Sequence, residues 1–358
     1  MNSKIKLKKL QKVVTNFFLI FICLLFFSCL EQKDVKNNES EIVLLSKKIS
    51  KEPKNIKLLI DRVNYNLSKN NFESAIYDLK KCILLDSLNS DIRYKIGKTY
   101  FDLSKKTQKI EYINNSIFHL EKAIIIDEKN YSSLSLLGEI FLAFRGLDEK
   151  KFIQSISYFK KSLAINYNQE NTHLLMGYAY KHLQNNDMAI KFFSNAININ
   201  PKFKEAYIEI AHTYHLQKDT LAISYYNNAL LLDSFDTQLL YNKAIFYQEI
   251  LDWNNALNTY SELHKIDPFH ADGHYNLGFI HMELKLFDVA TNNFSDAIYS
   301  NSNYYQAYYS RGICFETLGN IAQAQSDYNR AIEINPNYEF AINALKKIKK
   351  NNEYTRTN

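Results

Sequence analysis

Residues that form tight turns, metal sites or disulfides are scarce in this chain. Its 358 residues include only eight Gly, four Pro, four Cys and one Trp. With so few glycines, no phosphate-binding loop is present, and the H-E-x-x-H, G-x-S-x-G and C-x-x-C motifs are also missing. These absences predict a protein that is not an enzyme, with no catalytic residues and no cofactor.

An excess of positive charge is also missing once the N-terminus is set aside. The formal net charge is +6, from 44 basic and 38 acidic residues. Five lysines and no acidic residue lie within the first 28 positions. Removing those five leaves 39 basic residues against 38 acidic ones, a balance of +1. The basicity is therefore confined to a leader, and we expect no nucleic-acid binding.

Long apolar runs are absent except for one, Phe17–Phe27, which has eleven residues. A bilayer-spanning helix needs about 20, so this run fits the apolar part of a secretory signal. It leads into Ser28 and Cys29, a junction that resembles a bacterial lipoprotein cleavage box. The resemblance implies a signal peptide at 1–28, a lipid-modified Cys29 and a flexible tether at 29–40. The alternatives are an uncleaved signal anchor or an ordinary secreted protein.

The tether begins with acidic residues, Glu31 and Asp34, shortly after Cys29. Such residues look like the surface-export signals of some Bacteroidota lipoproteins. The alternative interpretation is a plain linker, because this stretch has no periodicity.

The most informative feature of the chain is a repeated 34-residue pattern. In its clearest copy, 305–338, two short amphipathic helices carry Gly312 on the first and Ala324 and Ala331 on the second. Small residues let two helix axes approach closely, and Pro336 stops the second helix. A helix pair this small cannot bury its apolar face alone, so it needs similar neighbours.

Numbering each copy from 1 to 34 puts Gly312 at position 8 and Pro336 at position 32. Five of the eight glycines fall at position 8, namely Gly97, Gly138, Gly177, Gly278 and Gly312. All four prolines fit position 32, namely Pro53, Pro201, Pro268 and Pro336. Such a register predicts a one-dimensional stack of helix pairs rather than one compact core.

At these positions the sequence resembles the tetratricopeptide repeat family. The copy that matches closely carries Gly177, Tyr180, Ala189, Phe193, Ala196 and Pro201. The resemblance covers roughly 41–350 and implies an all-α, right-handed superhelical solenoid of about eight helix pairs within 41–338. A lone helix near 41–51 should cap one end. A helix at 339–350, followed by a disordered tail to 358, should cap the other.

Two adjacent repeats carry insertions at the same joint. Repeat two has seven extra residues around Ser104–Asn115, and repeat three has five near Arg145–Lys151. Both interpretations remain open: the helices are simply longer, or the insertions form a functional ridge on one edge.

Histidine and cysteine give weak signals for metal binding. His212 and His215 are three residues apart, His270 and His274 are four apart, and His182 could approach the first pair. No cysteine or clustered carboxylate completes a coordination shell, so we predict no metal site. Cys82 and Cys314 take the place of small buried residues several repeats apart, which makes a disulfide between them improbable.

The resemblance implies that positions 2, 5, 9, 12 and 13 of each first helix line a concave groove. Position 9 is usually Asn in the family, but here it is mostly apolar or aromatic, which suits an amphipathic helix or an extended peptide. Acidic residues at Glu249, Glu283 and Glu316 border the groove. The predicted partner-binding residues are Tyr178, His212, His215, Tyr241, Ile245, Tyr275, Phe279, Tyr309 and Ile313.

One known binding mode of the family is not expected. The chaperone-binding members use Lys and Asn at fixed positions of their first repeats. Here those positions hold Ile60 and Asn64, and then Lys95. Capture of a chaperone's C-terminal carboxylate is therefore not predicted.

These features together suggest a non-catalytic adaptor in a bacterial envelope, held to the membrane through lipid on Cys29, most simply in the outer membrane. Its partner would be another envelope protein that offers a peptide or helix to the groove. By resemblance, such lipoproteins assist outer-membrane, secretin or pilus assembly or regulate cell-wall enzymes. The alternatives are a surface lipoprotein that captures glycan or peptide nutrients and a passive spacer.

Overall fold

The computed structural model describes residues 41–143 and 149–357, with side chains as far as Lys349. Within these ranges every regular element is an α-helix, and there is no strand. No helix in the described ranges combines the length and apolar character needed to cross a bilayer. The predicted signal peptide, the tether and Cys29 lie outside the described residues.

Eighteen helices follow one another in the described ranges. Helix α1 covers 41–51. Eight pairs come next: α2 (Ile56–Ser68) and α3 (Phe72–Leu85), α4 (Ser90–Thr107) and α5 (Ile110–Ile126), α6 (Tyr131–Ala143) and α7 (Glu149–Ile165), α8 (Glu170–His182) and α9 (Asn186–Ile199), α10 (Lys204–Leu216) and α11 (Leu221–Leu232), α12 (Thr237–Glu249) and α13 (Trp253–Ile266), α14 (Ala271–Glu283) and α15 (Phe287–Ser300), and α16 (Tyr305–Thr317) and α17 (Ile321–Ile334). Helix α18 (Glu339–Thr357) closes the series. The predicted all-helical class and the eight pairs are confirmed.

The helices group into two compact units, one ending at Asn168 and the other beginning at Gln169. The first unit contains α1 to α7 and the second contains α8 to α18. Inside each unit a helix packs mainly against its neighbours in sequence. Contacts of this local kind are what a stack of repeated helix pairs requires.

The small residues at position 8 hold the two helices of a repeat close together. A Cβ added to Gly312 would lie 2.6 Å from Cε1 of Tyr328, and one added to Gly278 would lie 2.6 Å from Cε1 of Phe294. Both rings occupy position 24 of their repeats, on the second helix, and are fully buried. The predicted close approach of the helices is therefore confirmed, with an aromatic ring filling the space that the glycine leaves.

Polar residues between helices set the helix ends. Side chains such as Asn71, Asn185 and Asp252 accept a backbone N–H of the first turn, which satisfies a donor that has no partner inside the helix. At the joint inside the repeats, position 15 has a left-handed backbone, with φ of +82° at Gly319 and +60° at Leu251. Glycine suits that conformation, whereas a β-carbon strains it.

A recurring polar cluster shows how α1 caps the first unit. Arg62 makes two hydrogen bonds of 2.7 Å to the carboxylate of Asp78, and its Nη1 lies 3.2 Å from Oγ of Ser46 in α1. The last repeat contains the same cluster, in which Arg311 contacts Ser295 of the preceding second helix. Helix α1 therefore contacts repeat one as a second helix contacts the repeat that follows it, which fits the predicted cap.

The extra residues of repeat two lengthen its helices. Helix α4 has 18 residues and α5 has 17, against 13 and 14 in repeat four. The interpretation of longer helices is therefore correct there. In repeat three α7 also has 17 residues, and part of its insertion, 144–148, lies outside the described residues.

The sequence analysis predicted a disordered tail after residue 350, and this prediction was wrong for most of the tail. Helix α18 continues to Thr357. No glycine or proline follows Glu339, so nothing in the sequence stops the helix. The cysteines follow the prediction, since Cys82 and Cys314 are buried and free.

Candidate functional site

The predicted groove residues all lie on first helices of the second unit, between α8 and α16. We call the side of these helices that carries positions 2, 5, 9, 12 and 13 the first-helix face. None of the predicted residues is fully buried and none is fully exposed; the half-buried set is Tyr178, His212, His215, Tyr241, Ile245, Tyr275, Phe279, Tyr309 and Ile313. Each therefore combines a packing role with an accessible surface.

Three repeats build the same aromatic pair on this face. The tyrosine at position 5 contacts the aromatic residue at position 34, which precedes the next first helix. The centroid distances are 5.1 Å for Tyr241–His270, 5.0 Å for Tyr275–Tyr304 and 5.3 Å for Tyr309–Tyr338. Such contacts fix the rings in place, so the face presents rigid aromatic surface at low entropic cost.

Tyr309, from the last of these pairs, borders a cavity. About 580 Å³ of space lies between repeat eight and α18. Its walls include positions 5, 9, 12 and 13 of the repeat, which are Tyr309, Ile313, Glu316 and Thr317. Helix α18 contributes the opposite wall with Phe340, Asn343, Ala344 and Lys347. Its lining therefore mixes aromatic and apolar side chains with a few polar and charged groups.

Two of the predicted groove residues, His215 and His212, make side-chain contacts within the protein. His215 Nδ1 lies 2.9 Å from the hydroxyl of Tyr226, and its Nε2 lies 3.3 Å from Oε2 of Glu249. His212 Nε2 lies 3.2 Å from Nδ2 of Asn242 on the next first helix, and burial lowers its pKa. In the described part of the chain, no group of three or more metal-binding side chains is placed to hold an ion.

The contact between His215 and Tyr226 belongs to a pattern that the sequence interpretation missed. A buried tyrosine at position 24 pairs with a polar side chain at position 12 of the same repeat. Besides Tyr226, the pairs are Tyr260 with Gln248 at 3.1 Å and Tyr328 with Glu316 at 2.8 Å. Repeats four and seven have Phe193 and Phe294 at position 24, and neither ring needs such a partner. The sequence did contain a signal for these pairs, because each tyrosine at position 24 in repeats five, six and eight is accompanied by a polar residue at position 12.

At the start of the second unit, a polar bridge links two neighbouring first helices. The hydroxyl of Tyr178 donates to Oε1 of Glu209 at 3.2 Å, and Lys181 Nζ donates to Oε2 at 2.8 Å. Burial, followed by the charge of Glu209, raises the pKa of Tyr178. Tyr178 also packs edge-on against Phe193, at a centroid distance of 5.6 Å.

The sequence interpretation also missed a stacked histidine pair. The rings of His264 and His274 are 3.8 Å apart between centroids and are inclined by 9°. Burial, followed by the nearby His274, lowers the pKa of His264 to about 4. In the first unit, Lys95 donates to Oδ1 of Asn64 at 2.7 Å, so these two residues satisfy each other.

Comparison with protein families fits this geometry. Two family models, both described as tetratricopeptide repeat, match this chain, one over residues 171–203 and the other over residues 305–338. These segments are tetratricopeptide repeats. They correspond to repeats four and eight, and the intervening repeats have the same helix pairs. Proteins built from these repeats generally serve as non-catalytic scaffolds that bind other proteins.

One solved structure supports the same fold, and two others are more loosely similar. The C-terminal part of a TPR repeat-containing protein from Cytophaga hutchinsonii aligns with a TM-score of 0.53 and 16% identity, over 66% of this chain and 93% of that one. YrrB, described as a TPR protein with an unusual peptide-binding site, gives a TM-score of 0.44 and 17% identity over 52% of this chain and 97% of its own. MamA gives a TM-score of 0.41 and 24% identity over 48% of this chain and 94% of its own. A search of the curated proteins found no match.

Proposed function

We propose that this protein is a non-catalytic adaptor of a bacterial envelope, anchored by lipid on Cys29 in the outer membrane. The first-helix face of its second unit holds a peptide or a helix from another envelope protein. The adaptor needs no catalytic group, metal or cofactor, because its activity is to hold a partner in place.

The row of half-buried side chains at position 9 carries this proposal. Tyr178, Ile245, Phe279 and Ile313 occupy it, and all four are partly accessible. Apolar groups that stay partly exposed on one side of a stack provide binding energy when a partner covers them. Amphipathic helices and extended peptides both present apolar side chains at regular intervals, as such a row requires.

Pull-down from envelope extracts tests the groove. The variants Phe279→Ala and Tyr178→Ala shorten two side chains of the row, and we expect both to lose the partner. Phe269→Ala is the matched control, because Phe269 is an exposed phenylalanine in the loop before α14. All variants should first be shown by circular dichroism to remain helical. An unchanged partner list for Phe279→Ala would contradict the groove.

The anchor has its own test. The Cys29→Ala variant removes the only thiol of the lipoprotein junction, so it should lose both membrane association and the mass added by lipid. If this variant stays in the membrane fraction and keeps the same mass shift, the proposed lipid anchor at Cys29 is wrong. The groove proposal would remain, because it rests on the second unit alone.

A second candidate function is capture of a glycan or peptide nutrient by the same face. The aromatic pairs Tyr241–His270, Tyr275–Tyr304 and Tyr309–Tyr338 favour it, because they supply one aromatic step per repeat. Binding to a glycan array that is lost in Tyr275→Ala, without any protein partner in the pull-down, would replace the adaptor by this function.

A further inference from the structure

The first helices of the second unit carry more acidic than basic side chains, and the basic ones are already engaged. Helices α8, α10, α12, α14 and α16 together carry seven carboxylates and four basic side chains. Which of these charged side chains are already paired within the protein decides the charge of the partner that the face can bind.

The four basic side chains are all committed within the protein. Lys181 contacts Glu209 at 2.8 Å, and Lys204 contacts Asp233 at 2.8 Å and Asp236 at 3.0 Å. Arg311 is bound to Asp327 through two hydrogen bonds of 2.8 Å. The remaining cation, Lys243, packs against the ring of Tyr247, and burial lowers its pKa.

Several carboxylates on the same helices remain exposed. Glu205, Glu249, Asp272 and Glu283 all reach solvent. Asp272 accepts one hydrogen bond, from the hydroxyl of Tyr304 at 2.7 Å, and Glu249 lies 3.3 Å from His215 Nε2. A carboxylate has about four lone-pair sites, so each of these groups can still accept further hydrogen bonds.

Two of these carboxylates, Glu205 and Asp272, lie near tyrosines of the groove; Asp272 is bound to Tyr304, whose ring stacks on Tyr275. After the larger effects of burial and of the neighbouring Glu209, the charge of Glu205 adds to raising the pKa of Tyr178. Asp272 contributes in the same way to the raised pKa of Tyr241, again after burial. Negative charge beside an aromatic ring suits Lys and Arg, whose stems pack on the ring while their heads reach the carboxylate.

Building on the adaptor function, we propose that the segment held by this face is a basic amphipathic peptide of a protein partner, with Lys or Arg placed between its apolar residues. Its apolar side chains cover Ile245, Phe279 and Ile313, and its cations lie against Glu205, Glu249 and Glu283. An acidic or neutral segment leaves these carboxylates facing like charge or unpaired, which lowers its affinity and its rate of association.

Selection from a random-sequence peptide library on the full-length protein tests this proposal. We expect the selected peptides to be enriched in Lys and Arg relative to the starting library, and to bind less tightly at high salt. Their affinity should fall about tenfold or more in the triple variant Glu205→Gln/Glu249→Gln/Glu283→Gln, because three close charge pairs are lost. The matched control, Asp187→Asn/Glu262→Gln/Asp296→Asn, removes the same charge from exposed positions of second helices and should change the affinity little.

The outcomes distinguish two claims: that the partner is basic, and that the first-helix face is the surface that binds it. Peptides that need Phe279 but show no enrichment in Lys or Arg would overturn the basic partner and leave the adaptor intact. Equal losses in the two triple variants would also overturn it, because the effect would then come from net charge alone. If no selected peptide depends on Phe279 or Tyr275, both the groove and the basic partner are wrong.

Discussion

The hydroxyl of Tyr260 donates a hydrogen bond of 3.1 Å to the side-chain oxygen of Gln248, twelve residues earlier in the same repeat. The tyrosine is fully buried, so its hydroxyl has no access to water. Repeat seven has no such hydrogen bond at the equivalent positions, because they hold Met282 and Phe294. The first prediction follows from this difference.

We expect Gln248→Met alone to destabilise the protein by about 1–3 kcal/mol, because the proton of a buried hydroxyl then has no acceptor. Adding Tyr260→Phe, which recreates the pair of repeat seven, should recover most of that loss. The free energy of unfolding, measured in urea for both single variants and the double variant, gives the coupling between the two positions. Additive losses would show that the hydrogen bond does not couple them.

The second prediction concerns the pair of Arg311 and Asp327, whose side chains are 19% and 7% exposed. The Asp327→Asn variant should cost about 3 kcal/mol, because it leaves the guanidinium mostly buried without its counter-charge. Repeat seven has Leu277 and Asn293 at these positions. The double variant Arg311→Leu/Asp327→Asn should therefore be less destabilised than Asp327→Asn, as judged by denaturant unfolding. A double variant that is no more stable would contradict this assignment.

The third prediction concerns the left-handed joint inside the repeats. Leu251 has φ of +60°, which strains its backbone, and its side chain is 67% exposed. Burial of the side chain therefore does not offset the strain. The Leu251→Gly variant should stabilise the protein by about 0.5–1 kcal/mol, after the greater freedom of glycine in the unfolded chain is counted. The reciprocal Gly319→Leu, at φ of +82°, should destabilise it. A lower melting temperature for Leu251→Gly would show that the backbone at this position is not strained.

The fourth prediction is a loss of stability on mild acidification. Burial, followed by the positive charge of Arg93, lowers the pKa of His119 to about 4, and burial lowers that of His264 to about 4. In the unfolded chain these groups take up a proton near pH 6.5, whereas the folded protein resists it until about pH 4. Below pH 6.5 the unfolded state therefore binds more protons, and stability falls as pH drops towards 4.

Thermal unfolding between pH 7 and pH 5 measures this effect. The melting temperature should fall across this range, and His119→Gln should reduce the slope because one of the responsible groups is removed. Geometry supports the choice, since Nδ1 of His119 lies 3.4 Å from Nη1 of Arg93, a contact that requires the neutral ring. An unchanged slope in His119→Gln would show that other groups govern the acid response.

The sequence predicts the fold closely because the register depends on steric contacts that few residues can make. Gly278 and Gly312 each face an aromatic ring. Small residues at position 8, which are Gly177, Ala211, Ala244, Gly278 and Gly312, predict that repeats four to eight start near 170, 204, 237, 271 and 305, and the first helices begin there. The end of α18 was not predictable in the same way, because no glycine or proline marks it.

The polar contacts of the site were harder to predict than its location. The nine predicted residues do lie on first helices, but periodicity does not distinguish a side chain that faces solvent from one that also bonds within its repeat. His215, which contacts Tyr226, shows this limit. The stack of His264 on His274 joins consecutive repeats, and a single repeat motif carries no information about such pairs.

Site-specific photocrosslinking in living cells tests the central claim, that the first-helix face of the second unit is the surface that holds a partner. A photoreactive phenylalanine analogue replaces Phe279 on that face or, as the control, the exposed Phe269 in the loop before α14. The adaptor function predicts a discrete protein adduct from position 279 that is absent from position 269. No adduct at 279, or the same adduct at both positions, would contradict it.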